Sequence, residues 1–497
     1  MMRAVHLLGA CALAAIAMPA IGAPPADDNR TNMMRQLGIS AIVPGFSGDE
    51  AAPDHANYDE SKANPFPVLP DPLTLNSGRT VPDARTWAVT RRAEILEHYS
   101  REVYGRVPAN LPPVRWTVAA TDRETIGFRY PVVARRVIGH VENEGDPANG
   151  IDMRLMVVLP ADAKGPVPVL IMFKYGADGF PEPSQPSAQD YDRINAAIKA
   201  MLVRQDPALA PVFEAHQAMS FASAPAFRLP QRDPNGDLPP TDQLIAAGWG
   251  YVTFDPTTAQ ADNSEGLRKG IVGLGNRGAY RKPEDWGALR AWAWAASRVF
   301  DYLAADPMVD SKRIGIEGVS RYGKAALVTM AYDDRFAVGL IGSSGKGGAT
   351  PLRRNFGEGV SNLASGSHYW MAGNFMKYDT KGVSKPGLDA GDLPVDANEL
   401  IALAAPRPLF ISYGIPEQGD AKWLDQKGSY METLDAGRVY KLLGADGVGS
   451  AGPPAMPPVE TFIAGRLAWR QHVGGHTDVP NFRYFIPWAD KELARPR

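Results

Sequence analysis

The chain has 497 residues, 44% of them apolar and 22% charged, with a formal net charge of −3. Its length and apolar fraction suffice for one large core or two ordinary ones. The charge balance supplies no basic field, which argues against nucleic acid or an anionic membrane surface as a partner, and no internal run has the pattern of a membrane span or a repeat.

After Arg3, "AVHLLGACALAAIAMPAIGA" is a short apolar stretch ending in small residues, the pattern of a secretory leader over residues 1–23. "LGAC", ending at Cys11, faintly resembles a lipoprotein cleavage box, but apolar residues continue well past it. Cys11 is the only cysteine, so the chain left after cleavage has neither a disulfide nor thiol chemistry. An exported protein of that kind depends on a large packed core, and a bacterial periplasm fits it better than a eukaryotic secretory route.

Residues 24–82, rich in Pro, Asp and Asn, predict an extended N-terminal arm lying over a domain that fills 83–497. A helix is expected over 84–105 with Asp83 as its N-cap. Strands follow at 151–160, 167–173 and 248–255, then a helix at 284–303. On that helix Trp286, Leu289, Ala293, Ala296 and Phe300 recur at helical spacing, a face for core packing. Further strands are expected at 313–318, 336–344 and 406–413, and "ETFIAGRLAW" reads as another. Apolar strands alternating with helices imply a mostly parallel sheet covered on both faces, a three-layer αβα sandwich. Two long irregular segments, 177–245 with two short helical patterns and 256–283, are expected to form lids or pocket walls.

"RIGIEGVSRYGKAALVTMAY" reads as strand, turn and helix, with Ser320 at the turn. Such a turn lifts the serine hydroxyl above the sheet and points the next backbone N–H at a helix start into the same space. The glycine spacing departs from G-x-S-x-G, because Tyr322 holds the second glycine's place and Gly323 follows it. On these residues alone a serine that merely caps the helix explains the stretch as well. Near the C-terminus His476 lies in a Gly-flanked loop between an expected strand and a final helix. An α/β-hydrolase fold supplies its base there, in the order Ser, acid, His. His472 lies four residues before His476, but two glycines separate them and no Glu completes an H-E-x-x-H, so no metal site and no cofactor are expected.

Gly318-Val319-Ser320-Arg321-Tyr322-Gly323-Lys324 resembles the G-x-S-R-x-G-K elbow of the glucuronoyl esterases, carbohydrate esterase family 15. The resemblance extends through "EILEHYSREVYGR", "GGATPLRRNFGE", "DLPVDANELIALAAPRPL" and "GGH", over nearly all of residues 56 to 490. It implies that Ser320 attacks the ester of a glucuronic acid, with His476 as base and Arg321 helping to stabilise the oxyanion. It further implies that Lys324, Glu358 and Trp423 hold the sugar. Fungal members carry a catalytic Glu where "SSGKGG" here has Ser343, so the acid must come from elsewhere. The loop "GIPEQGDAKWLD" offers Glu417, Asp420 and Asp425. Bacterial members place an Asp just ahead of the Trp, which favours Asp420 over Glu417, while Asp425 also suits a helix N-cap.

The leading expectation is a secreted, monomeric serine esterase acting on glucuronate esters of plant cell-wall xylan, as small molecules or polysaccharide. An esterase of the same fold for acetyl or other carbohydrate esters, and a catalytically silent carbohydrate-binding relative, are the alternatives.

Overall fold

The computed structural model describes residues 27–126, 129–143, 150–176, 188–221, 236–448 and 455–494; the leader expected at 1–23 lies outside them. Among the described residues ten strands form one sheet: β1 (Val114–Ile126), β2 (Tyr130–Val141), β3 (Ile151–Pro160), β4 (Val167–Phe173), β5 (Gly250–Phe254), β6 (Val309–Val319), β7 (Val338–Gly342), β8 (Leu409–Gly414), β9 (Phe462–Ile463) and β10 (Leu467–His472). Their order is β1-β2-β3-β5-β4-β6-β7-β8-β10-β9. From β5 to β10 the neighbours are parallel. Antiparallel strands flank them, β1–β3 on one side and β9 on the other.

The expected strands at 151–160 and 167–173 coincide with β3 and β4. β1 and β2 were not legible, because most of β1 faces water and no continuous apolar run marks it. "ETFIAGRLAW" is not one strand: it breaks between β9 and β10.

Strand alternation sends side chains into two cores. Val169 and Ile171 enter one and Leu170 and Met172 the other. The first core is covered by α4 (Ala288–Ala304), α5 (Arg321–Tyr332) and α6 (Gln426–Leu442), the second by α7 (Phe482–Leu493). This is the α/β-hydrolase fold. On α4 the expected face is buried, from Leu289 through Ala293 and Ala296 to Phe300.

Outside these layers, the arm is not extended throughout. It contains α1 (Asp28–Leu37), capped by the Asp27 side chain. The helix expected at 84–105 begins after Asp83, which caps it, but its central turns, α2 (Arg92–His98), are flanked by π-type stretches at Trp87–Arg91 and Tyr99–Val103. Within 177–245 lies α3 (Ala188–Gln205), an 18-residue helix rather than a short pattern.

β6 enters α5 through Ser320, whose φ of 61° and ψ of −130° are a conformation L-residues rarely hold. The turn is fixed on both sides: the Ser320 N–H donates to the Gly342 carbonyl at 2.9 Å, and its carbonyl accepts from the Lys324 N–H at 3.0 Å. The two glycines are required by close approach. A Cβ on Gly318 would lie 2.4 Å from the Tyr322 carbonyl oxygen, and one on Gly323 would lie 2.6 Å from that of Gly342. Tyr322 occupies the intervening position because its ring packs against Phe173 and Trp292, at 5.9 and 5.6 Å. The altered glycine spacing therefore has a packing cause. Gly318→Ala is expected to displace the elbow and cut ester turnover by about 10²-fold while cooperative unfolding persists, as kinetics and thermal melting will show.

Candidate active site

Parallel register sets the C-terminal ends of β6, β7, β8 and β10 in a row. Val319 lies opposite Gly342, Gly342 opposite Ser412, and Gly414 opposite His472. The segments leaving these ends carry Ser320, Ser343, Asp420 and His476 respectively. Residues far apart in sequence thus emerge at one edge of the sheet.

Asp420 is the centre of this edge. Its side chain is fully buried, whereas that of His476 is 37% exposed. Its Oδ1 accepts from His476 Nδ1 at 2.6 Å and from the Ala421 N–H at 3.0 Å. Its Oδ2 accepts from Ser343 Oγ and from the Gly414 N–H, both at 2.9 Å. An ionised carboxylate only accepts, so the imidazole proton sits on Nδ1 and Nε2 is left as the basic nitrogen. Of the other two acids of this loop, one is exposed and the other is engaged elsewhere. Glu417 is exposed. Asp425 caps α6 through the Gly428 N–H and binds Arg354 Nε at 2.8 Å.

Arg321 opens α5 next to the half-buried Ser320. Its Nη1 donates to Asp262 Oδ2 at 2.5 Å and its guanidinium lies 5.4 Å from the Trp370 ring centre. Burial alone would lower its pKa, but the Asp262 hydrogen bond and charge outweigh this and raise it. Lys324 and Glu358 face each other. Lys324 Nζ lies 2.6 Å from the Lys346 carbonyl and 3.4 Å from Glu358 Oε2, which also accepts from the Lys346 N–H. Both are almost wholly enclosed, at 3% and 5% exposure. Trp423 is half-buried, its carbonyl accepts from the Glu358 N–H at 2.9 Å, and its ring lies 3.2 Å from where a Gly48 Cβ would stand.

His472 does not pair with His476. It is buried, its Nδ1 accepts from the Gly474 N–H at 3.0 Å, and burial pulls its pKa down to about 4. Among the described residues no group of three or more His, Cys, Asp and Glu converges as a metal site would.

Several contributors had no signal in the sequence. Asp262 lies in an irregular segment and Trp370 ends a short 3-10 turn (His368–Trp370) 108 residues on, yet the Trp370 indole donates to Asp262 Oδ1 at 2.7 Å. Glu317, near the end of β6, is buried against Asp478, two residues past His476. Burial, then the Asp478 charge, pushes the Glu317 carboxyl well above its usual range. Glu317 Oε2 and Asp478 Oδ2 are both buried without a hydrogen-bond partner among the described residues.

A family model described as glucuronyl esterase, fungi, matches residues 238–444. A glucuronoyl esterase of family 15 from Teredinibacter turnerae superposes with a TM-score of 0.76 at 36% identity, covering 94% of this chain and all of that one. A glucuronoyl esterase from Solibacter usitatus follows at 28% identity and a TM-score of 0.67, covering 88% of this chain and all of that one. Carbohydrate esterase MZ0003, from an unknown prokaryotic organism, is 27% identical over 89% of this chain and 93% of its own. The 4-O-methyl-glucuronoyl methylesterase of Podospora anserina is 32% identical, but over only 33% of this chain and 34% of its own. With that full-length likeness to the Teredinibacter enzyme, and with elbow, buried acid and imidazole at one sheet edge, the chain belongs to carbohydrate esterase family 15, the glucuronoyl esterases, and is a carboxylic ester hydrolase.

Proposed function

We propose that this protein hydrolyses esters of (4-O-methyl-)glucuronic acid, including those joining xylan to lignin alcohols, through an acyl-enzyme on Ser320. The observation that carries this is the 2.6 Å Asp420–His476 pair at the sheet edge where the elbow presents Ser320. The names of the fungal relatives, 4-O-methyl-glucuronoyl methylesterases, support the substrate class.

A serine hydroxyl is a weak nucleophile until a neighbouring imidazole takes its proton. His476 Nε2 accepts that proton as Ser320 Oγ bonds to the ester carbonyl carbon. The imidazolium then returns the proton to the leaving alcohol, and the C–O bond breaks. Water repeats the sequence on the acyl-enzyme and releases the uronic acid. Asp420 fixes the tautomer and stabilises the imidazolium while remaining ionised. Negative charge grows on the former carbonyl oxygen, where the Arg321 backbone N–H at the start of α5 and its guanidinium stabilise it, each such donor by about 3 kcal/mol. Lys324 and Glu358 offer an ammonium and a carboxylate to sugar hydroxyls, with Trp423 as a flat apolar face beside them. The leader expected at 1–23 would deliver the enzyme to the periplasm or beyond, where wall polysaccharide is found.

The deciding comparison is a benzyl glucuronate ester against an aryl acetate. The native enzyme is expected to prefer the glucuronate, and Ser320→Ala to lose at least about 10⁴-fold in kcat. Undiminished turnover in that variant would overturn the mechanism, and preference for the acetate would overturn the substrate.

Asp420→Asn is expected to lower kcat by about 10⁴-fold with the melting temperature little changed, while Glu417→Gln leaves it nearly intact. The reverse pattern would make Glu417 the acid. Lys324→Ala and Glu358→Ala are expected to reduce glucuronate turnover at least about tenfold more than acetate turnover, the usual scale for lost hydrogen bonds to a polar substrate group. Equal losses on both substrates would show that the pair supports the serine or the fold instead of the sugar.

A further inference from the structure

We propose that Asp262 is a positioning residue that holds the Arg321 guanidinium in place for the oxyanion. This rests on Arg321 having the oxyanion role proposed above.

The geometry is a closed set of contacts. One Asp262 oxygen takes Arg321 Nη1 at 2.5 Å and the other takes Trp370 Nε1 at 2.7 Å, while the Arg321 guanidinium lies over the Trp370 ring. Tyr175 OH adds a contact to the first oxygen at 3.4 Å. The Asp262 side chain is 13% exposed against 40% for Arg321, so the anchor is inside and the anchored group meets solvent. Both segments behind the anchor are pinned by the arm. Asp27 accepts from Ser264 Oγ at 2.6 Å, two residues past Asp262, and pairs with His368 Nε2 at 2.7 Å, two residues before Trp370. Asn29 Nδ2 donates to the Ser264 carbonyl at 2.8 Å.

Two physical effects of Asp262 oppose each other. Its charge offsets the arginine's and repels an oxyanion, so electrostatics alone predicts that neutralising it speeds the reaction. Its hydrogen bond orders a long, flexible side chain before the transition state, and donors stabilise developing charge best when they need no reorganisation. The tight contacts on both carboxylate oxygens favour ordering as the larger effect. The sign of the Asp262→Asn change therefore separates the two.

A double-mutant cycle in the full chain tests this, with kcat and KM read on benzyl glucuronate. Asp262→Asn is expected to lower kcat by about tenfold with KM nearly constant in the native background, since small misplacements of a catalytic donor cost rates of that order. In an Arg321→Ala background it should change kcat less than twofold, because the group it positions is gone. A rise in kcat for Asp262→Asn, or equal losses in both backgrounds, overturns the inference. An Arg321→Ala variant as active as the native enzyme overturns the oxyanion reading itself, a distinct result. If Asp262→Asn melts too low to assay, Trp370→Phe removes the indole donor but keeps the ring, and the same cycle decides.

Discussion

A fully buried carboxylate must have its lone pairs answered by donors, and Asp420 takes two of its four from its own segment and two from distant parts of the chain. Ser343 comes from the end of β7, Gly414 from the end of β8, His476 from the loop beyond β10, and Ala421 follows in the chain. The Ser343 and His476 contacts tie the ends of β7 and β10 to the loop beyond β8. Gly414 shows how little slack remains, since a Cβ there would fall 2.0 Å from the Gly475 carbonyl oxygen and 3.0 Å from Asp420 Cβ. The loop that carries the imidazole is thus pressed directly against the strand end that carries the acid.

The same constraint accounts for a hydroxyl, rather than a second acid, at Ser343. Ser343 Oγ is a donor to Asp420 Oδ2, and it is completely buried. A second carboxylate at that position would face the first across a dry gap, and two like charges so close cannot both ionise. One acid and one hydroxyl on neighbouring strand ends satisfy each other. The acid in the loop beyond β8 and the hydroxyl just past β7 are therefore two parts of a single arrangement. Where two carboxylates do meet, at Glu317 and Asp478, burial and the Asp478 charge push the Glu317 carboxyl well above its usual range.

Much of the architecture was legible because buried parallel strands are nearly continuous apolar runs, as in "VPVLIMF", and because α4 repeats its apolar residues at helical spacing. β1 and β2 escaped because a strand facing water on one side carries polar residues there, and Arg, Thr and Asp broke the pattern. Ser320 and His476 were singled out by local context, a turn between strand and helix and a Gly-flanked loop, together with the resemblance. Asp420 was favoured over Glu417 and Asp425 only through the resemblance, since Asp420 and Asp425 are both buried and which carboxylate meets the imidazole is a matter of tertiary packing. Asp262 and Trp370 lay beyond reach altogether. They lie outside the main strands and helices, and nothing local distinguishes a carboxylate that will meet an arginine 59 positions away from one that stays in solvent.

The N-terminal arm illustrates how a compositional boundary and an energetic one differ. Residues 24–82 look separate because they are rich in Pro, Asp and Asn, yet their side chains complete pairs deep in the catalytic region. Arg354, whose side chain is 2% exposed, binds Asp425 at 2.8 Å and Glu60 of the arm at 2.6 Å, with Asn64 at 3.1 Å. A guanidinium that enclosed is costly unless its donors are answered, and breaking one partner of a buried pair costs about 3–5 kcal/mol where no water can replace it. Asp425 is itself the cap of α6, so the Arg354 network reaches from the arm to the helix behind the acid loop. With Asp27 pinning the Asp262 and Trp370 segments, the arm contacts both flanks of the site: the acid's side through Arg354 and Asp425, and the oxyanion side through Ser264 and His368. Its polar composition, which makes it look like a loose lead-in, is what lets it satisfy buried charges that the sheet and its helices leave open.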